Sequence, residues 1–140
     1  MEFFEKTNAA YVIVDAGVEH ELKDLEEEEK VEFRREYGTQ DSGVDALIRA
    51  CYNRLELISY FTTGEKETHA WTVLRGSTGP EAGAAIHTDF KDKYIRAQIV
   101  TFEDLVTSGS LAKARETGKL RTEGKEYIVQ DGDVIEFMHS

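Results

Sequence analysis

A chain of 140 residues with 40% hydrophobic and 32% charged side chains has room for one ordinary globular domain and some added helical structure, but not for two large domains. Its single cysteine, Cys51, excludes an intramolecular disulfide framework and any cysteine-rich zinc or iron–sulfur site. A formal net charge of −11 argues against a surface that attracts nucleic acid everywhere.

The acidity is lopsided. Residues 1–50 hold 14 acids and 6 bases, whereas residues 51–140 hold 14 acids and 11 bases, so the second part keeps scope for a basic face. No signal-peptide pattern opens the chain, and no apolar run approaches the roughly 20 residues of a membrane span, so a soluble cytoplasmic protein is expected.

In chain order, "AAYVIVDAG" is a short β-branched apolar run ending in Asp15 and Gly17, and predicts one buried strand entering a loop. Val18, Leu22 and Leu25 follow helical spacing. A second helix is expected in "EEEEKVEFRREYG", with Phe33 and Tyr37 four apart and Gly38 as its stop. Its acidic run from Glu26 to Glu29 suits a solvated first turn. After the turn "GTQDSG", Val44, Leu47, Ile48, Cys51 and Leu55 share one face of a further helix, which places Cys51 in a core.

The pattern changes near residue 57. Two β-rich segments flank "TGEKE" in "ISYFTTGEKETHAWTVLRG" and predict a hairpin. "STGPEAGAAIHTDF", with Pro80 near a first helical position, predicts a short helix. In "KYIRAQIV", Ile95, Ala97 and Ile99 alternate with Arg96 and Gln98 as in a half-exposed strand. Ser110 caps and Gly118 stops a short helix in "SLAKARETG". "KEYIVQDGDVIEFM" predicts two strands folded on an Asp-Gly turn. The order β-β-α-β-(short helix)-β-β is that of an α+β, ubiquitin-like β-grasp domain over 57–140, preceded by a mainly helical segment over 1–56.

The sequence encodes little chemistry. Gly118-Lys119 and Gly124-Lys125 are followed by Leu120 and Glu126, so neither is a phosphate-binding P-loop, which needs a hydroxyl there for magnesium. His87-x-Asp89 lacks a third metal ligand, with His20, His69 and His139 scattered. A helix-end role for His87 and a turn-capping role for Asp89 are expected instead. No serine sits in a nucleophile elbow. No catalytic residue, metal or resident cofactor is therefore expected.

What remains is a set of cations: Lys91, Lys93 and Arg96 around the central strand, and Lys113, Arg115, Lys119, Arg121 and Lys125 around the second short helix. They could contact phosphates, with Tyr94 and Tyr127 offering stacking faces, or be ordinary surface charge balanced by Glu116, Glu123 and Glu126.

Several long segments carry a family resemblance: Tyr60-Phe61-Thr62, Ala70-Trp71-Thr72, Ile86-His87-Thr88-Asp89-Phe90, and Tyr127-Ile128-Val129-Gln130-Asp131-Gly132-Asp133-Val134. Together they resemble the TGS domain at the C-terminus of YchF-type P-loop NTPases, relatives of the Obg GTPases. Upstream, "YVIVDAGVEHEL" is similar to the last strand and G5 loop of that family's nucleotide-binding domain. "EEKVEFRREYG" and "VDALIRACYNRLELISYF" are similar to the helices that follow. Two stretches depart from the pattern. Ser77-Thr78-Gly79-Pro80-Glu81 replaces a more basic loop, and Glu136-Phe137-Met138-His139 replaces the usual tail.

The resemblance implies a parent that binds and hydrolyses ATP or GTP with magnesium and associates with ribosomes. Asp15, Ala16 and Gly17 would be the remnant of its base-proximal G5 loop, and the TGS domain a non-catalytic module docking to the ribosome or another RNA-protein partner, with no DNA or membrane involved. Two alternatives stay open: a lid that regulates the parent's ATP hydrolysis, and a small-ligand-binding domain around His87, Asp89 and Trp71.

Overall fold

The computed structural model describes residues 6, 10–36, 38, 42–64 and 67–140. Tyr37 near the end of the second expected helix, the centre of the "GTQDSG" turn and the tip of the "TGEKE" hairpin lie outside the described residues. The chain divides into two compact units, residues 1–55 and 56–140.

In the first unit, α1 (Ala16–Leu22), α2 (Glu27–Glu36) and α3 (Gly43–Arg54) follow one another. Asp15 caps α1, its carboxylate accepting from Gly17 N–H at 2.9 Å and Val18 N–H at 3.1 Å, which satisfies two of the amide donors a helix start leaves unpaired. Glu19 on α1 reaches the start of α3, accepting from Gly43 N–H at 2.6 Å and from Ser42 Oγ at 3.3 Å. Two expectations fail here. Residues 10–15 form no strand, because a strand needs a ladder partner and none is found among the described residues. Cys51 is exposed rather than core. The apolar face of α3 is present as spaced, but Val44, Leu47, Ile48 and Leu55 are all 45–60% exposed, so the amphipathic pattern is real while the described residues of this unit leave it largely uncovered.

The second unit is a five-stranded mixed sheet of order β2-β1-β5-β3-β4. Its strands are β1 (Leu57–Thr63), β2 (Thr68–Leu74), β3 (Tyr94–Thr101), β4 (Arg121–Glu123) and β5 (Asp133–His139). β1 and β5 run parallel and every other pair is antiparallel. This is the β-grasp arrangement, in which the last strand enters between the first and third.

One face of the sheet carries α4 (Gly79–Ile86) and α5 (Thr88–Lys93). Pro80 and the capping carboxylate of Glu81 start α4, with Thr78 N–H donating to Glu81 Oε2 at 2.7 Å. Small residues let the helix lie close: Ala82 is fully buried, and a Cβ on Gly79 would fall 2.6 Å from the Tyr94 hydroxyl. Beneath it Ile58, Tyr60, Val73, Ala97, Ile99, Val129 and Ile135 form the main core. Tyr60, with no exposed surface, donates its hydroxyl to Ala82 O at 2.8 Å, so its polar tip is satisfied where burial raises the phenol pKa. Phe137 stands edge-on to Tyr60, Phe90 and Tyr94, a geometry that adds to simple area burial.

The opposite face holds a smaller core of Val100, Ala114 and Val134 with Phe61, Leu105, Leu111 and Leu120. It is covered by α6 (Phe102–Ser108) and α7 (Leu111–Glu116). Ser110 caps α7 and Gly118 follows it at φ 72°, as the sequence led one to expect. Both α5 and α6 are additional to the expected elements.

Two strand expectations need correction. β3 carries a register irregularity between Tyr94 and Arg96, so Tyr94 takes the core position and Ile95 is 54% exposed. The extra residue shifts the alternation by one. The expected hairpin about Asp131-Gly132 is not formed. Residues 125–130 make only the single bridge Thr78–Ile128, while the strand next to β3 is β4, earlier in the chain. Segment 127–130 instead bonds to the start of α4, Gly79 N–H donating to Tyr127 O and Val129 N–H to Ser77 O, both at 3.0 Å.

The Asp131-Gly132-Asp133 turn ties the unit together. Ser59 N–H donates to Asp131 Oδ1 at 2.8 Å, and Gly132 N–H donates to Ser59 O at 2.8 Å. Asp133, 1% exposed, accepts from the Tyr127 hydroxyl at 2.8 Å and from Gln130 N–H at 2.9 Å, both at Oδ2. Gly132 takes φ 84°, which favours glycine at that position.

Candidate functional site

The His87-Thr88-Asp89 stretch is a hinge between helices. His87 closes α4 through its N–H to Gly83 O at 3.2 Å, then caps α5 by accepting the Asp89 N–H at Nδ1, also at 3.2 Å. The Asp89 carboxylate is held below its ordinary pKa by Lys93, whose Nζ lies 2.7 Å from Oδ2. Among the described residues no group of three or more His, Cys, Asp or Glu side chains could hold a metal ion. Trp71 is likewise engaged, donating Nε1–H to Thr62 Oγ1 at 2.9 Å and meeting the His69 ring in a tilted contact at 4.3 Å.

Asp15, Ala16 and Gly17 sit at the α1 start, with the Asp15 carboxylate already taken up by capping. Such a turn can lie beside a base but offers no cradle for phosphates, which dominate affinity at nucleotide sites. The described residues of this chain therefore do not by themselves fit a magnesium nucleotide.

The eight cations are not one cluster. Lys91 and Lys93 lie on α5, with Lys93 bound to Asp89. Arg96 and Gln98, two apart on β3, share a sheet face. Arg115 of α7 comes down onto it, donating from Nη2 to Gln98 Oε1 at 2.6 Å. Arg96 donates from Nε to Met138 Sδ at 3.3 Å. Lys119 is paired with Asp104 at 3.2 Å. Arg121 lies opposite Ile99, hence on the other face, where it sits over the Tyr127 ring at 5.7 Å and near Glu123 at 3.8 Å. Lys125 is in the turn after β4, and Lys113 is exposed on α7. Period-two alternation and the two-sided helix cover split the set, which spacing along the chain could not reveal.

The expected stacking faces are not free either. Tyr94 is 3% exposed. Tyr127 is held by Asp133 and covered by Arg121, and burial, with the Asp133 carboxylate beside it, pushes its phenol up to about 12.

The Arg115 side of the sheet contains a cavity of about 150 Å³ between α7 and the sheet, which no spacing along the chain signals. Leu111, Leu120 and Val134 line it, with Gln98, Arg115 and Glu136 supplying polar groups. Glu136 is the direct cross-strand partner of Gln98. Only the three-dimensional closure of α7 over β3 and β5 brings these residues together. No helix among the described residues is long and apolar enough to cross a membrane.

Comparison with known proteins identifies the architecture. Residues 57–140 match the family model YchF-GTPase_C, "Protein of unknown function (DUF933)". The chain is 50% identical over 136 residues to the "Ribosome-binding ATPase YchF" of Bacillus subtilis (strain 168), covering 97% of this chain and 37% of that protein. It is 46% identical over 137 residues to the protein of the same name from Escherichia coli O157:H7, covering 98% and 38%. The solved structure of the Schizosaccharomyces pombe YchF GTPase superposes with a TM-score of 0.79 at 34% identity, over 89% of this chain and 33% of that one. The chain thus spans little more than a third of the length of these relatives.

Proposed function

This chain belongs to the YchF-GTPase_C family, and on that footing we propose that residues 57–140 are a non-catalytic docking module for the ribosome or a comparable RNA-protein surface. The observation that carries the reading is the 50% identity over 136 residues with a relative named for ribosome binding. The charge distribution supports it. Among the described residues Lys91, Lys113 and Lys125 have no carboxylate within ion-pair distance, whereas Lys93, Lys119 and Arg121 are committed to Asp89, Asp104 and Glu123. Uncommitted exposed cations are those free to displace counterions from a phosphate backbone.

Residues 1–56 we assign to the end of a nucleotide-binding domain, whose ATP or GTP and magnesium would be held chiefly by parts of a longer protein. The exposed apolar face of α3 and the β-branched segment 10–14, which has no ladder partner among the described residues, support this assignment. Asp15, Ala16 and Gly17 would stand beside the base there.

The test is a triple substitution, Lys91→Glu, Lys113→Glu and Lys125→Glu, in the present chain, with ribosome binding measured by co-sedimentation. Lys91 on α5 and Lys113 on α7 lie on opposite sides of the sheet, so loss of those that contact phosphate weakens binding and flattens its dependence on log[salt] by about 0.7–0.9 per contact. Binding equal to that of the unaltered chain, with the same salt slope, rejects these cations as the docking surface.

A further inference from the structure

The cavity under α7 is too small for a nucleotide: drug-sized and cofactor ligands occupy pockets of roughly 300 Å³ and more. A partly open space of about 150 Å³ with both polar and aliphatic lining suits a group of benzene size. Its apolar lining is aliphatic, with Leu111, Leu120 and Val134 around the volume and no aromatic ring among the lining residues.

Its polar end is unusual in charge. Arg115 spends its described hydrogen bond on a neutral group, the Gln98 carbonyl at 2.6 Å. Glu136 stands across from the same Gln98 in the β3–β5 register. Yet Arg115 and Glu136, lining one cavity, form no ion pair with each other. The nearby cations are otherwise engaged: Lys119 is on Asp104, and Arg96 Nε is on the Met138 sulfur. One positive and one negative side chain therefore line the same cavity, Arg115 bonded to Gln98 and Glu136 on the strand position facing Gln98. The parallel pairing of Phe61 with Val134 also carries Thr63 to the side of Glu136 two residues further on, adding a hydroxyl to the negative end.

A ligand that satisfies both charges at once bears a carboxylate and an ammonium on one carbon, with an apolar body attached. We propose that the cavity under α7 binds a free aliphatic α-amino acid, its carboxylate on Arg115, its ammonium on Glu136, and its side chain among Leu111, Leu120 and Val134. A bidentate guanidinium–carboxylate contact gives the positive end its preference for a planar anion. The site lies on the sheet face opposite α4, away from His87, Asp89 and Trp71. It does not depend on the docking reading, whose three test lysines leave Arg115 untouched.

The test is an NMR titration of the ¹⁵N-labelled chain with L-valine or L-leucine. N-acetyl-leucine, which lacks the ammonium, and leucinamide, which lacks the carboxylate, serve as analogues. The site requires saturable shifts centred on the amides of Gln98, Arg115 and Glu136, with each analogue weaker by roughly tenfold or more. Arg115→Gln should weaken valine similarly while leaving leucinamide unchanged, and Glu136→Gln should do so while leaving N-acetyl-leucine unchanged. That crossed pattern cannot come from general loss of structure, and the dispersion of the same spectra reports folding directly. No saturable shift at tens of millimolar amino acid overturns the proposal, as does equal binding of leucine and N-acetyl-leucine.

Discussion

Replacing Asp133 with Ala removes the acceptor at the centre of the 131–133 turn and strands two donors, the Tyr127 hydroxyl and the Gln130 N–H, which sit 2.8 and 2.9 Å from its Oδ2. Hydrogen bonds to a charged acceptor contribute about 1.5–3 kcal/mol each. Part of that is offset because the variant no longer desolvates a carboxylate that is 1% exposed. A net loss of about 2–4 kcal/mol is expected, at roughly 4–8 °C in Tm per kcal/mol for a unit of this size. Trp71, the single tryptophan, lies in β2, so its fluorescence in a urea titration reads this unit and not residues 1–55. Tyr127→Phe should cost about 1–2 kcal/mol, and the double variant should be little worse than Asp133→Ala alone, because both changes remove the same bond. The phenol adds a pH signature. Its folded pKa of about 12 lies above the ordinary value near 10. Its contribution is therefore complete below about 10 and disappears as pH rises through about 12. A loss below about 0.5 kcal/mol for Asp133→Ala, or strict additivity in the cycle, would refute the turn's role as the tie between segment 127–130 and β5.

Gly79→Ala should destabilise the same unit by about 1–3 kcal/mol through overpacking, since its Cβ would stand 2.6 Å from the Tyr94 hydroxyl and 2.9 Å from Cζ. Tyr94→Phe in that background should recover only part of the loss, because Cζ remains, and full recovery in urea unfolding would count against the steric account. Thr78 holds the Glu81 carboxyl below its usual pKa, chiefly through the backbone N–H. Its stabilising effect is thus present above the unfolded value and lost as pH falls through the lowered folded one. Glu81→Gln should flatten that acid limb, and an unchanged limb would remove the capping box as its source.

Local rules account for what was legible in the sequence. Ser110 and Gly118 announced α7, and Pro80 announced α4. The misreadings share one cause, that tertiary partners override local pattern. Residues 10–14 have strand composition but no ladder partner among the described residues. Ile95 alternates correctly with Arg96 until the irregularity at Tyr94 moves it outward. Cys51 lies on a properly spaced apolar face that stays exposed. The Asp-Gly pair signalled a hairpin, whereas Asp133 is used to hold Tyr127 and Gln130. Cations close in sequence around β3 and β4 point to opposite faces, and the Arg115–Gln98–Glu136 group joins residues from three elements that no spacing connects.

The central claim is that the β-grasp unit carries ribosome affinity of its own, and the most direct measurement is co-sedimentation of this chain with ribosomes across a salt series. The account predicts binding at low salt that falls linearly in log K against log[salt], by about 0.7–0.9 per phosphate contact. Absence of binding at the lowest salt would contradict it.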